Sequence, residues 1–168
     1  MKRLTFASLG LFLCSLFFVT GVFAAEKIAC VDLSRLFSEY TKTKDYDKTL
    51  GDKQTSYDTE RGKKVNEIKQ FQDKMNVLSD KEKEAKKTEL ETKIKALQEF
   101  DRTKQTDLRK ELSEKKAELI KDIEGAIEQY AKKEGYTLVL SEVGLAYNTK
   151  NLDITDKILN ILNKGYKK

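Results

Sequence analysis

The residue types that usually carry out covalent or metal chemistry are scarce in this chain. It has no histidine and two cysteines, Cys14 and Cys30. A nucleophilic cysteine or serine needs a nearby base, which is most often histidine. A zinc site would likewise draw on histidine and cysteine ligands. The sequence therefore predicts no enzyme, no metal site and no cofactor.

Nucleotide and nucleic-acid binding are equally poorly supported. The segment Gly62-Lys63-Lys64 lacks the upstream glycine spacing with which a phosphate-binding loop surrounds its ligand. The formal net charge is +5, and the basic residues are interleaved with acidic ones. A nucleic-acid site would need a basic face with aromatic rings set into it. We therefore expect neither ATP nor nucleic acid as a partner.

Non-covalent contact is the chemistry that this composition favours. Charged residues make up 36% and hydrophobic residues 39% of the chain, a balance that suits extended helices better than a deep core. Within residues 41–134 the apolar side chains recur at spacings of three and four, as in the seam of a coiled coil. The predicted seam comprises Val65, Ile68, Phe71, Met75, Leu78, Leu90, Ile94, Leu97, Phe100, Leu112, Leu119, Ile123, Ala126, Ile127 and Tyr130.

The seam is interrupted at Ser79-Asp80-Lys81-Glu82, which has the form of a capping box. In such a box the serine and the glutamate three residues later satisfy free amides at the start of a helix. The sequence therefore predicts a helical hairpin over residues 41–134 with its tip near residue 79. The alternative is one unbroken helix that tolerates an internal serine. Weak helix formers in residues 41–62 predict an imperfect helix or a bend there.

The first residues have the form of a secretion signal. Lys2 and Arg3 precede an apolar run over residues 9–22, and small residues follow it. This pattern predicts a signal peptide over residues 1–24, cleaved after Ala24, and an exported product. A retained membrane anchor is the alternative, although the run is short for one. Cleavage would leave Cys30 as the only thiol, expected as a small buried hydrophobe rather than a reactive or intersubunit cysteine.

Both ends of the chain carry short strand and helix patterns. Residues 27–32 predict a strand and then a helix capped by Asp32 or Ser34. After a helix end at Gly135, residues 136–140 predict a second strand, and residues 145–147 a return strand. A short helix capped by Asp153 or Thr155 follows. The fold class is therefore α+β: a long hairpin that projects from a small β-rich body (residues 25–40 and 135–168).

The predicted body is too small to be stable as a single copy. Its strands carry apolar residues on both faces and need cover on both sides. Small cores commonly gain stability by oligomerising, and unpaired strand edges invite partners. We therefore expect a homo-oligomer joined through the body. The residues expected in that interface are Ile28, Cys30, Val31, Leu138, Val139, Leu140, Ala146 and Tyr147.

The order of these features resembles the Skp/OmpH family of periplasmic chaperones. The resemblance spans nearly the whole mature chain and is most specific at its ends. The matching segments are Lys27-Ile28-Ala29-Cys30-Val31-Asp32, Gly135-Tyr136-Thr137-Leu138-Val139-Leu140, Leu145-Ala146-Tyr147-Asn148 and Asp153-Ile154-Thr155. The resemblance implies a homotrimer whose three arms hold unfolded outer-membrane proteins without ATP.

Such a holdase would contact its clients through apolar and cationic side chains near the arm tip. The candidates are Met75, Leu78, Leu90, Ile94 and Leu97, with Lys81, Lys83, Lys86 and Lys87. The simpler interpretation is that the apolar residues fill the seam and the lysines solvate the arm. Basic arms could also approach an anionic lipid surface. A structural coiled-coil spacer or scaffold of the cell envelope remains the alternative function.

Overall fold

The computed structural model describes residues 26–167. The predicted signal peptide and Cys14 lie outside the described residues. Within residues 26–167, no helix is both long enough and apolar enough to cross a membrane.

The chain enters the body through a strand and a short helix. Strand β1, Ile28–Val31, is followed by helix α1, Leu33–Glu39. Asp32 begins α1, because its carboxylate accepts a hydrogen bond from the Arg35 amide at 2.9 Å. This satisfies one of the amides that a helix start leaves without an intrahelical partner. Asp32, rather than Ser34, is therefore the cap.

Two long helices form the arm. Helix α2 spans Thr41–Asn76 and helix α3 spans Asp80–Glu134, with 36 and 55 residues. At about 1.5 Å per residue they are about 54 and 82 Å long. The hairpin is confirmed, and the single unbroken helix is excluded by the turn between Asn76 and Asp80. The extra length of α3 carries it through the body.

The predicted irregularity in residues 41–62 is wrong, since α2 is continuous through that segment. Its weaker helix formers are accommodated locally: the Thr49, Thr55 and Thr59 hydroxyls each donate to the carbonyl four residues earlier, at 2.8 to 2.9 Å. The interruption falls instead at Tyr40, whose extended backbone (φ −63°, ψ 124°) separates α1 from α2.

The predicted seam is largely correct, but two of its members lie outside it. Val65 and Leu112 are 37% and 42% exposed, whereas Lys64 and Leu108 are half-buried. Residues spaced by three and four can be grouped into more than one stripe along the surface of a helix. Which stripe becomes buried depends on how the partner helix packs, and the sequence of one helix alone does not show this.

Helix α3 ends as predicted. Gly135 has a left-handed backbone (φ 74°), and its amide donates to the Ala131 carbonyl. Glycine adopts this conformation without steric cost, which is why it commonly closes helices. Strand β2, Leu138–Ser141, follows at once, and a 3₁₀ helix, Glu142–Gly144, ends it.

The strands bring the two chain ends together. Strands β1 and β2 pair in parallel, with Ile28 opposite Leu138 and Val31 opposite Ser141. On the other edge of β1, the Cys30 amide donates to the Leu152 carbonyl at 2.8 Å. Strand β1 therefore lies in the middle: this N-terminal strand is flanked on both sides by segments from the C-terminal end of the chain.

The return strand predicted at residues 145–147 is wrong, and residues 26–167 contain two strands rather than three. The Leu145 amide donates to the Glu142 carbonyl at 3.0 Å. The Asn148 side-chain amide donates to the Glu142 carboxylate at 2.8 Å. These bonds curl the segment back on Glu142, so it does not run beside β2.

Helix α4, Thr155–Gly165, closes the body. Asp153 acts as its cap in effect, because its carboxylate accepts from the Thr155 amide at 2.8 Å. The last turns of α3 pass through the same core, so the arm and the body share one helix. The buried core comprises Ala29, Val31, Leu36, Tyr40, Leu119, Ile123, Ala126, Ile154, Ile158 and Leu162. The predicted α+β class is confirmed.

Candidate interaction surfaces

The arm tip is closed by the predicted capping box. The Glu82 carboxylate accepts from the Ser79 amide at 3.0 Å and from the Ser79 hydroxyl at 2.5 Å. These two hydrogen bonds hold the pKa of Glu82 below its ordinary value. Glu82 therefore stays charged, and it lies in the first turn of α3, where the helix dipole favours an anion.

The apolar side chains expected to contact clients lie partly in the seam of the hairpin. All five are half-buried, namely Met75, Leu78, Leu90, Ile94 and Leu97. Each therefore packs within the hairpin and keeps part of its surface in solvent. The tip thus has an apolar interior that is only one layer deep.

Lysines partly cover the aromatic rings of the seam. The Lys86 and Lys93 ammonium groups lie 5.9 and 5.6 Å from the centre of the Phe71 ring. Lys64 lies 5.1 Å from the centre of the Phe100 ring. Lysine can lay its methylene stem along an apolar surface while its charge stays in water. The upper arm consequently presents apolar and cationic groups side by side.

The four lysines proposed near the tip are accompanied by acidic neighbours. Lys81, Lys86 and Lys87 are exposed, and Lys83 is half-buried. Three ion pairs join neighbours on α3: Lys83–Asp80 at 3.9 Å, Lys86–Glu89 at 2.9 Å and Lys87–Glu84 at 3.8 Å. Exposed pairs of this kind are weak and screened by salt. The tip surface is therefore mixed in charge, not uniformly basic.

One exposed tip residue was not among the sequence candidates. Val77 is 85% exposed in the turn between α2 and α3. Its position in the sequence could have identified it, because Val77 does not fit the three-and-four spacing and lies just before the Ser79 cap. It is the most exposed large apolar side chain of the described arm.

The middle of the arm is joined by polar contacts. The Tyr57 ring stacks on Phe100 with centroids 5.8 Å apart, and its hydroxyl donates to Asp101 at 3.1 Å. Arg61 pairs with the same carboxylate at 3.0 Å. Lower down, Lys53 pairs with Glu111 at 2.6 Å. These contacts fix the register of α2 against α3 where the apolar seam is thin.

The body exposes an apolar patch beside its sheet. Ile28 and Leu138 face each other across the two strands and are 37% and 46% exposed. Val143 and Tyr147, in the segment after β2, are 81% and 82% exposed. In the described part of the chain, no strand pairs with the second edge of β2. Exposed apolar groups beside an open strand edge are typical of a protein interface.

The remaining proposed interface residues are less accessible. Cys30 and Val31 are 1% and 2% exposed and belong to the interior of their own chain. Val139 and Leu140 are half-buried, and Ala146 is exposed. A partner would reach Ala146 directly, but Cys30 and Val31 could only support the surface from below.

Cys30 is a buried thiol, as expected. The Asn148 side-chain amide donates to its sulfur at 3.2 Å, and Glu142 lies 3.8 Å away. Burial, together with the negative charge of Glu142, raises the pKa of this thiol. A raised pKa disfavours the thiolate, which is the nucleophilic form.

The fold and these surfaces define a helical-hairpin protein whose arm projects from a small α+β body. Comparisons with known proteins agree with this description. A family model described as "Outer membrane protein (OmpH-like)" matches residues 27–162. The chain belongs to this OmpH-like family, and the resemblance to the Skp/OmpH chaperones is confirmed.

Individual relatives carry chaperone names. The chain is 27% identical over 162 residues to chaperone protein Skp of Pectobacterium atrosepticum, covering 94% of this chain and 96% of that protein. Chaperone protein Skp of Photorhabdus luminescens matches with the same identity and coverage. A putative OmpH-like outer membrane chaperone from Caulobacter crescentus CB15 has a TM-score of 0.77 at 14% identity, over 84% of this chain and 86% of that one. At that identity, the structural match establishes the fold alone.

Proposed function

We propose that this protein is an ATP-independent holdase chaperone of the periplasm. It would keep unfolded outer-membrane proteins soluble by enclosing them between helical arms. The observation that carries the proposal is the arm itself: a long hairpin whose seam is one layer deep and whose surface alternates apolar and cationic groups. The chaperone names of the relatives support the same function.

Holding of this kind needs many weak contacts rather than one deep pocket. An unfolded chain exposes apolar side chains along its length, and each half-buried apolar group of the arm offers it a small partner surface. Adjacent lysines can steer acidic segments of the client toward the arm. Because each contact is weak, a client can exchange contacts and leave without an energy source.

We infer that several copies assemble through the body, and the family resemblance indicates three. Assembly is supported by the exposed patch of Ile28, Leu138, Val143 and Tyr147 beside the open edge of β2. Assembly there would leave the arms projecting from one side of a common base. The space between the arms would then hold the client.

We also propose that the arm tip contacts anionic lipid surfaces. Exposed tip lysines such as Lys81 support it, but their acidic neighbours reduce the local charge. Attraction to anionic lipid would therefore be modest and would fall as salt is added. Vesicle flotation at low and high salt measures this attraction directly.

An assay of client aggregation distinguishes a holdase from a structural spacer of the cell envelope. An unfolded outer-membrane protein is diluted from urea with and without this protein, in the absence of nucleotide, and light scattering is followed. We expect scattering to be suppressed, whereas aggregates formed beforehand should not dissolve. Equal scattering in both samples would favour the spacer.

A further inference from the structure

A cluster of three charged side chains lies where the arm leaves the body. Lys42 is in the first turn of α2, and its ammonium lies 2.6 Å from Glu118 and 2.6 Å from Asp122, one turn apart on α3. The Lys42 side chain is only 13% exposed. We call these three residues the root clamp.

Two tyrosines donate hydrogen bonds to the carboxylates of the root clamp. The Tyr40 hydroxyl donates to Asp122 at 3.3 Å, and the Tyr46 hydroxyl donates to Glu118 at 2.8 Å. Hydrogen bonds from Lys42 and Tyr46 lower the pKa of Glu118 to about 2. Burial and the charge of Asp122 raise the pKa of Tyr40 to about 12. At neutral pH Glu118 is therefore a charged acceptor and Tyr40 a neutral donor.

The two arm helices join the body in different ways. Helix α2 begins at Thr41 directly after the extended residue Tyr40, so the backbone does not hold it in line with α1. Helix α3 is continuous, and its residues Leu119 and Ile123 are buried in the body core. The direction of the arm therefore depends on the straightness of α3 and on the attachment of α2 to it.

Helix α3 has a weak point next to the root clamp. Gly125 lies three residues after Asp122, and a Cβ atom there would meet nothing within 4 Å. No close approach therefore explains the glycine. A glycine inside a helix destabilises it by about 0.5–1 kcal/mol relative to alanine, because it is freer when unfolded. Gly125 therefore lowers the intrinsic helix stability of α3 next to the root clamp, in a segment where Ile123 and Ala126 pack in the body core.

We propose that the root clamp fixes the angle between arm and body by holding α2 against α3 beside the weak point at Gly125. Lys42 is the positioning residue, since it is the cation that both carboxylates share. Without it, Glu118 and Asp122 would be like charges one turn apart on α3, which repel. This inference concerns the geometry of the chain and does not rest on the holdase function.

The test measures the distance from arm to body within one chain. Spin labels are placed at Lys63→Cys on the exposed side of α2 and at Lys157→Cys on the exposed side of α4 in the body, in a Cys30→Ser background. Labelled chains are diluted into unlabelled protein, so that pulsed electron resonance reports the intrachain distance. The change is Lys42→Met, which keeps an unbranched side chain of nearly the same length and removes its charge.

The matched control is Lys53→Met. This variant breaks the 2.6 Å pair with Glu111 by the same chemical change, but farther along the arm. We expect Lys42→Met to broaden the distance distribution relative to both wild type and Lys53→Met. A distribution as narrow as that of Lys53→Met would overturn the proposal.

A second variant acts in the opposite direction and decides the matter if Lys42→Met fails to fold. Gly125→Ala should narrow the distribution, because alanine stiffens α3 at the weak point. Its control is Gly62→Ala, at a glycine in α2 that likewise has nothing within 4 Å of a Cβ. Equal widths for these two alanine variants would show that arm direction is not set at the root.

Discussion

At the scale of single residues, lysines in this protein often serve two neighbours at once. Lys115 lies 4.3 Å from the centre of the Tyr46 ring, and its ammonium also contacts Glu118 at 3.4 Å. The same ammonium group thus interacts with both an aromatic ring and a carboxylate. Such side chains let a helix pair with a thin apolar seam keep a defined register.

The charge of Glu118 makes a testable contribution to acid stability. Its pKa falls from 4.5 to about 2 on folding, so its stabilising effect is present above pH 4.5 and is lost as pH falls toward 2. The difference in melting temperature between wild type and Glu118→Gln should be largest near neutral pH and shrink over that range. Glu114→Gln, on the exposed side of α3, is the control. A difference that persists unchanged at pH 2 would contradict this assignment.

Contact between client and arm can be mapped residue by residue. A photo-crosslinking amino acid is placed singly at Lys81, Lys86 or Lys87, with Lys157 on the exposed side of α4 as control. We expect the client to cross-link at one or more arm positions and not at Lys157. Cross-links confined to Lys157 would place the client outside the arms.

Some residue-level features were accessible from sequence and others were not. The Ser79 cap and the Gly135 helix end were predicted, because each depends on neighbours within a few residues. The root clamp was missed, since Lys42 and Glu118 are brought together only by the register of two long helices. Long-range ion pairs of this kind leave no local pattern in a sequence.

At the scale of elements, α3 is the part that connects arm and body. It starts at a capped tip, runs along α2 and ends inside the core, so one helix belongs to both regions. Because α3 is shared, the body should resist bending of the arm. The tip, with its single-layer seam, is the least supported end of this helix.

The cap at Ser79 should control local opening of the tip. Ser79→Ala removes the hydroxyl from the capping box and should cost about 0.5–2 kcal/mol. We expect faster amide hydrogen exchange in the first turns of α3 and unchanged exchange in α4. Ser113→Ala, inside α3, is the matched control and should leave tip exchange unaltered. Identical tip exchange in both variants would mean that the cap does not hold the tip.

Strand β2 provides the test of assembly. Leu138 is 46% exposed, so Leu138→Asp should be tolerated within one chain but should disrupt an interface at the sheet. We expect the solution mass to fall to that of the monomer. Leu112→Asp makes the same change at an exposed position of α3 and should leave the mass unaltered. An unchanged mass for Leu138→Asp would argue against assembly through this surface.

At the scale of the whole molecule, the embedding of β1 beside β2 is what allows an arm to project. The two ends of the chain form one core together with the last turns of α3, and the chain between the two ends forms the hairpin. Hydrophobic periodicity and helix ends in the sequence were enough to predict this arrangement. The number of strands was not predictable, because residues 145–147 carry the apolar side chains of a strand, but their backbone and Asn148 hydrogen-bond to Glu142 instead.

The most direct test of the account removes the upper arm and keeps the body. Lys64 and Phe100 are neighbours across the hairpin, with the ammonium 5.1 Å from the ring centre, so a short glycine-serine loop can replace residues 65–100. Wild type and this variant are compared for their solution mass and for light scattering from an unfolded outer-membrane protein. We predict the same mass for both and loss of aggregation suppression in the variant. Suppression by the variant equal to that of wild type would contradict the claim that the arms hold the client.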